Sequence, residues 1–182
     1  MSRLRHAWRV LYWLPSLVLL REVGVLKLVS GRSMQPILNP DESLLWRDVA
    51  IFDRISMHTH RPYRRGDIVA LKSPSDAKYE LVKRIIAIEG DIVQTLPRLV
   101  LAILQHRNLS FGSRYPDPEV CVPQGHVWVE GDAFHSQDSN SFGPVPLGLV
   151  DARLVCLIWP WWRFSKVPAT PSIHPRVTPA PK

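Results

Sequence analysis

Three short phrases constrain this chain's fold more than any other feature. They are Arg65-Gly66-Asp67-Ile68-Val69, Glu89-Gly90-Asp91-Ile92-Val93 and Glu130-Gly131-Asp132-Ala133-Phe134. Gly-Asp is turn chemistry, and the β-branched and aromatic residues beside it favour extended backbone. Ile68 to Leu71, Leu81 to Ile88 and His126 to Val129 read as strands. Leu44-Leu45-Trp46 reads as a further short strand, and Leu149 to Ile158 as one or two more. Asp48 to Arg65 reads as a strand edge and a basic loop. No long amphipathic helical period interrupts them. The chain is therefore expected to be mainly β, with antiparallel hairpins forming a half-closed barrel or sandwich. Its 182 residues, 46% hydrophobic, suit one domain with a proper core.

The segment before this body differs in kind. Met1 to Arg9 carries Arg3, Arg5, His6 and Arg9 and no acid; Val10 to Leu20 is then almost wholly apolar. Arg21 and Glu22 interrupt it, and Val23 to Val29 resumes it around Lys27. A bilayer span needs about 20 apolar residues. This stretch reaches that length if Arg21 pairs with Glu22 and Lys27 snorkels to a surface. Trp8 and Trp13 suit an interfacial belt. Residues 1–29 are read as an N-terminal anchor helix; a shallow interfacial helix or an uncleaved targeting segment are the alternatives. A spanning anchor would keep the basic N-terminus on the matrix or cytoplasmic side.

Residues 30–162 then form the body and 163–182 a tail with five prolines among its last fifteen residues, read as unfolded. Within the body, 94–120 is an atypical insertion. Its Leu96 to Leu104 is apolar and its Gln105 to Pro118 is polar. Asn108-Leu109-Ser110 matches a glycosylation sequon, a triplet that is common by chance. The formal net charge of +7 raises the question of nucleic acid. Scattered basic residues, with no zinc-finger spacing and no RNA-binding strand motif, point instead to a membrane surface. His58 and His60 lack acid or cysteine partners at ligand spacing, so no metal is expected. Cys121 and Cys156 make no disulfide framework and read as small core residues.

Two stretches carry chemistry. Gly31-Arg32-Ser33-Met34-Gln35-Pro36 places a serine in a turn after the apolar segment; such a motif is by itself also an ordinary loop. Tyr79 to Ile88 sets Lys83 in an apolar run. A serine becomes a nucleophile beside a base, and a lysine kept neutral by apolar surroundings is one. On a strand, Lys83 shares a face with Leu81, Ile85 and Ala87, where desolvation would lower its pKa. Arg84 faces the other way with Val82, Ile86 and Ile88, and arginine is not a base at accessible pH. The alternation does not say which face is the core, and an edge lysine that keeps a sheet soluble fits equally well. A Ser-His-Asp alternative would draw on His126, His135, Asp132 and Asp138, but Gly31-Arg32-Ser33 is not a nucleophile elbow. The hydroxyl-rich stretch His135 to Val145 reads as a loop.

Taken in order, Gly-x-Ser-Met-x-Pro, Arg-Gly-Asp-Ile-Val, Lys-Arg-x-x-x-x-x-Gly-Asp and Gly-Asp-x-x-x-Ser-x-Asp-Ser resemble the successive boxes of type I signal peptidases. Asp138 to Val145, Gly31 to Pro40 and Arg84 to Val93 are most similar to the mitochondrial inner membrane branch of that family. The resemblance covers nearly all of Val29 to Pro160. It implies a signal-peptidase-like β domain, Ser33 as nucleophile and Lys83 as general base. It implies that Ser136 orients the lysine, that Asp138 and Arg84 form a supporting pair, and that Met34 and Pro36 shape the site beside the nucleophile. It implies no cofactor. Gly31 stands where some bacterial relatives carry a serine oxyanion donor, leaving the Ser33 backbone N–H to carry more of that stabilisation. Glu89 replaces a proline of the bacterial box, and 94–120 is longer than the family pattern. The implied substrates are precursors with sorting segments, and the implied partners are inner-membrane lipid and a related protease subunit. Two other classes compete: a catalytically impaired scaffold for that subunit, and a self-cleaving Ser–Lys repressor. The second needs a helix-turn-helix that the segment before Ser33 does not contain.

Overall fold

The computed structural model describes residues 24–41, 46–54, 63–95, 117–133, 136–164 and 174–180. Among them, ten strands make two antiparallel sheets. The larger sheet uses β1 (Gly24–Leu28), β2 (Val49–Asp53), β3 (Ile68–Lys72), β4 (Glu80–Ile88), β7 (His126–Glu130), β8 (Val145–Pro146) and β9 (Val150–Trp159). Its order is β1-β2-β9-β3-β4-β7-β8. The smaller uses β5 (Ile92–Gln94), β6 (Glu119–Cys121) and β10 (Val177–Thr178), in the order β10-β5-β6. The mainly-β expectation is met. The last body strand is one element, β9, and it bridges β2 and β3. Register shifts in β2–β9, β3–β9 and β4–β7 bend the strands, as bulges do, so the sheet curls.

Three apolar clusters fill the body. One gathers Val29, Met34, Leu38, Phe52, Ala70 and Leu154 under the serine turn. A second packs Val69, Leu71, Ile85, Val127 and Val129 against β8 and the start of β9. The third joins the two sheets through Trp128, Ala87, Val93, Val122 and Val177. β4 sends Ile85 into the second and Ile86 and Ala87 into the third, and a bulge at Ile86 shifts its register between Ile85 and Ala87. A bulge adds one residue and so reverses which face each later side chain takes. Ala87 therefore does not share the face of Leu81 and Ile85, contrary to the simple alternation. β4 lies between β3 and β7, so Lys83 is an interior residue and not an edge one.

Two expected segment boundaries are corrected. The anchor was expected to reach residue 29, but Gly24–Leu28 is strand β1, paired with β2. Lys27 does not snorkel; its ammonium meets the carboxylates of Glu80 and Asp151. The rest of the anchor expectation lies outside the described residues, as do Leu44 and Leu45, His58 and His60, and 96–116. Among the described residues, no helix is long and apolar enough to cross a membrane. The tail is not wholly unfolded. Val177 and Thr178 pair with Val93 and Ile92, and Val177 is buried. Burying that valine beside Trp128 and Val93 supplies the apolar contact that the proline-rich composition concealed. Cys121 and Cys156 are both free.

Candidate active site

The serine turn is held by backbone bonds and by side chains within and below it. Val29 N–H donates to the Asp48 carbonyl and Leu38 N–H to the Met34 carbonyl, both at 2.8 Å. Asn39 adopts φ 50°, a backbone conformation that asparagine tolerates better than most residues. Its side chain donates to Val29 O at 2.9 Å and accepts from Asp48 N–H at 2.8 Å. Asp48 is fully buried and takes two hydrogen bonds from Arg163, at 2.7 and 2.6 Å. Met34 is 2% exposed and inserts into the first cluster, so it anchors the turn from below, while Pro36 stays exposed. Between these anchors, Ser33 sits half-buried.

The third Gly-Asp phrase brings the other groups to it. Ala133 N–H donates to the Ser33 carbonyl at 3.0 Å, which ties the serine turn to the loop after β7. A side chain at Gly131 would overlap both the Ser33 carbonyl and the Ser136 hydroxyl. Glycine is required there for space, since the Ser33 carbonyl and Ser136 both occupy the room its Cβ would take. Lys83 is 2% exposed and its Nζ donates to Ser136 Oγ at 2.5 Å. The Ser33 carbonyl and Ser136 thus close on one glycine, and Ser136 in turn accepts from Lys83.

The electrostatics follow from burial. Desolvation lowers the Lys83 pKa to about 8, although the nearby charges of Asp138 and Asp132 pull it upward. Among the described residues, the Lys83 ammonium donates to a hydroxyl, Ser136, and not to a carboxylate. Asp138 is pushed up to about 6 by burial and then by the charge of Glu130; hydrogen bonds from the Asn140 side chain and backbone, and the Lys83 charge, oppose this. Asp138 also caps a one-turn helix, α1 (Ser139–Phe142), by accepting from Asn140 N–H at 3.0 Å. The stretch read as a loop therefore holds a capped turn, whose Ser139 Oγ accepts from Val129 N–H at 3.0 Å.

One expected pairing is corrected. Arg84 does not pair with Asp138. Its guanidinium grips Asp132 through two hydrogen bonds of 2.7 Å, and donates to Gly66 O at 2.9 Å. The bidentate fork matches the carboxylate of the Gly-Asp turn that follows the neighbouring strand, where Arg84 is registered opposite Glu130. Asp138 is occupied with the helix cap and Asn140. Glu130 and Asn140 are not singled out for the site from sequence; Gly131 enters there only through the third Gly-Asp box, and Asp132 through that box and the Ser-His-Asp alternative. The third Gly-Asp, five residues before Ser136, is the signal that could have found them. His126 lies at the exposed end of β7 with its ring against Gln124 O, so it does not join this group; His135 is outside the described residues. No group of residues able to hold a metal ion occurs among the described residues.

The family model described as "Signal peptidase, peptidase S26" matches residues 5–159. Mitochondrial inner membrane protease subunit 2 of Schizosaccharomyces pombe is 37% identical over 157 residues, spanning 85% of this chain and 76% of its own. The Danio rerio protein of the same name is 42% identical over 148 residues, 81% of this chain and 69% of its own. Mitochondrial inner membrane protease subunit 1 of Homo sapiens is 36% identical over 154 residues, 84% of this chain and 80% of its own.

Proposed function

Because the chain belongs to the signal peptidase family, peptidase S26, we propose that it is a serine endopeptidase with a Ser33–Lys83 dyad. The observation that carries the reading is the buried Lys83 Nζ, 2.5 Å from Ser136 Oγ, beside a glycine that Ser33 also touches. In this reading neutral Lys83 accepts the Ser33 hydroxyl proton as Oγ attacks the scissile carbonyl. The Ser33 backbone N–H faces the oxyanion of the tetrahedral intermediate. The Lys83 ammonium then protonates the departing amine, which leaves an acyl ester on Ser33. Water, deprotonated by Lys83, hydrolyses the ester. Ser136 holds the amine in line, Asp138 and Asp132 stabilise its charged form, and Arg84 fixes Asp132. Met34 sets the height of the nucleophile, and Pro36 shapes the exposed rim.

The substrates proposed are precursors whose hydrophobic sorting segments are removed at the mitochondrial inner membrane, with the catalytic domain facing the intermembrane space. Residues 1–23 would supply the anchor. A homologous protease subunit is the proposed partner, since relatives named as subunit 1 and subunit 2 both align over most of this chain. The test uses purified wild type and Ser33→Ala, each offered a precursor with an intact sorting segment. Wild type should cut at one bond and Ser33→Ala should not, while both unfold at the same temperature. Cleavage by a clean Ser33→Ala preparation would remove Ser33 as nucleophile.

A further inference from the structure

The match to the signal peptidase family ends at residue 159, yet a residue of the tail reaches the carboxylates behind the site. Arg176 Nη2 donates to Glu130 Oε2 at 2.5 Å. The tail is held there by backbone contacts: Gln94 N–H donates to Arg176 O at 2.9 Å, and Ala180 N–H to Asp91 Oδ1 at 3.0 Å. Glu130 is 7% exposed, as is Asp138. One amide stands between them. Asn140 Nδ2 donates to Glu130 Oε1 at 3.0 Å and to Asp138 Oδ1 at 3.1 Å.

We propose that Arg176 is a positioning residue of the active site, acting through Glu130 and the Asn140 amide on Asp138 and so on Lys83. The proposal rests on the Ser–Lys reading above. The physical reason is like-charge repulsion. Two buried carboxylates sharing one amide repel each other unless cations face them. Asp138 has Lys83 on β4. Glu130 has Trp128 Nε1 at 2.9 Å, which is neutral, and Arg84 opposite on β4, whose guanidinium is committed to Asp132. His174, from the tail itself, is shifted down by burial and then by Arg176, so it adds little positive charge. That leaves Arg176, among the described residues, as the cation in contact with the Glu130 carboxylate. Removing it makes the surroundings of Asp138 and Lys83 more negative, which favours the charged form of Lys83. For Lys83 this means a higher pKa and less free amine at neutral pH.

The test is made on the full chain with 13C-labelled lysine, following the Lys83 resonance against pH, together with the pH profile of precursor cleavage. Arg176→Gln should move the Lys83 titration upward by about half a unit or more. The acid limb of kcat should move the same way, with KM within about two-fold. Arg176→Lys should return both to the wild-type position. Adding Glu130→Gln to Arg176→Gln should also return them, which loss of tail docking alone would not do. An Arg176→Gln chain with unchanged Lys83 titration overturns the proposal. A wild-type chain that fails to cleave, while Lys83 still shifts in Arg176→Gln, overturns the protease reading and leaves the coupling standing.

Discussion

The second and third Gly-Asp phrases read alike and end in different work. Gly90 has φ 83°, in the left-handed region that glycine enters at little cost, so it serves the bend between β4 and β5. Asp91 beside it is fully buried and fully partnered. Arg65 donates to it at 2.7 and 2.6 Å, and Ile88 N–H and Ala180 N–H both donate at 3.0 Å. Burial pushes its carboxyl up, but the Arg65 hydrogen bonds, the two backbone N–H groups and the Arg65 charge together hold it below the usual range. Gly131 is needed for space, not for a special backbone angle. Around it the buried charges are not fully matched: Asp138 is raised to about 6 and Lys83 lowered to about 8. The first arrangement stabilises the fold near neutral pH. In the second, burial lowers the pKa of an amine, and the charges of Asp138 and Asp132 oppose this without cancelling it.

That contrast breaks first at the glycines. Gly131→Ala should lower kcat/KM for precursor cleavage by about 100-fold or more, because its Cβ would displace both Ser33 and Ser136 from their shared contact. Gly90→Ala, with a strained φ and Ala180 Cβ 3.1 Å from the new methyl, should cost about 1–2 kcal/mol of stability and leave kcat/KM within a few-fold. Parallel cleavage assays and denaturant melts decide; equal kcat/KM losses in the two variants would erase the distinction.

The charges sharpen it next. Lys83 has a folded pKa below its unfolded value, so between about 8 and 10.4 the unfolded chain binds more protons. Stability then rises with pH across that window, and below it the burial of Lys83 costs about 3 kcal/mol. Lys83→Met should abolish cleavage, raise stability at pH 7 and lose that advantage as pH passes 10. Asp91→Asn should do the reverse at pH 7: less stable, still active. In wild type, cleavage should rise with pH through about 8. A Lys83→Met chain less stable than wild type at pH 7 would mean that Lys83 is held by its contacts and not merely tolerated.

The smallest effect is expected between β5 and β6. Thr95 N–H donates to Pro118 O at 2.9 Å and Thr95 Oγ1 to Asp117 O at 2.8 Å, so the ends of the insertion are fastened as a hairpin. Replacing 96–116 by a short Gly/Ser turn should leave kcat/KM within about two-fold and stability within about 1 kcal/mol, since loop closure depends weakly on length. Cleavage lost from a folded variant would show that the insertion contacts substrate.

Much of the β architecture was legible because turn and strand chemistry is local. Ile68 to Leu71, Leu81 to Ile88 and His126 to Val129 fall within observed strands. The alternation around Lys83 failed at Ala87, because the bulge at Ile86 depends on pairing with β7, which no local pattern encodes. The tail failed for a related reason: a proline-rich composition does not show that one valine finds a pocket beside Trp128. Of the candidate site, Ser33, Lys83 and Ser136 are suggested by the ordered boxes and not by their local surroundings. The Arg84–Asp132 pair was not, because two aspartates, Asp132 and Asp138, lay at plausible spacing and only the strand register selects between them.

By itself, then, the sequence determined the strand-and-turn rhythm, the residue types able to act as nucleophile and base, and the excess of positive charge, since each is a property of neighbours along the chain. The tertiary structure alone decided that Lys83 is interior and depressed in pKa, that Gly131 must lack a side chain, that Arg84 takes Asp132, and that Arg176 returns to Glu130. Each of these depends on desolvation or steric contact between segments far apart in sequence, and such terms exist only after the strands have paired.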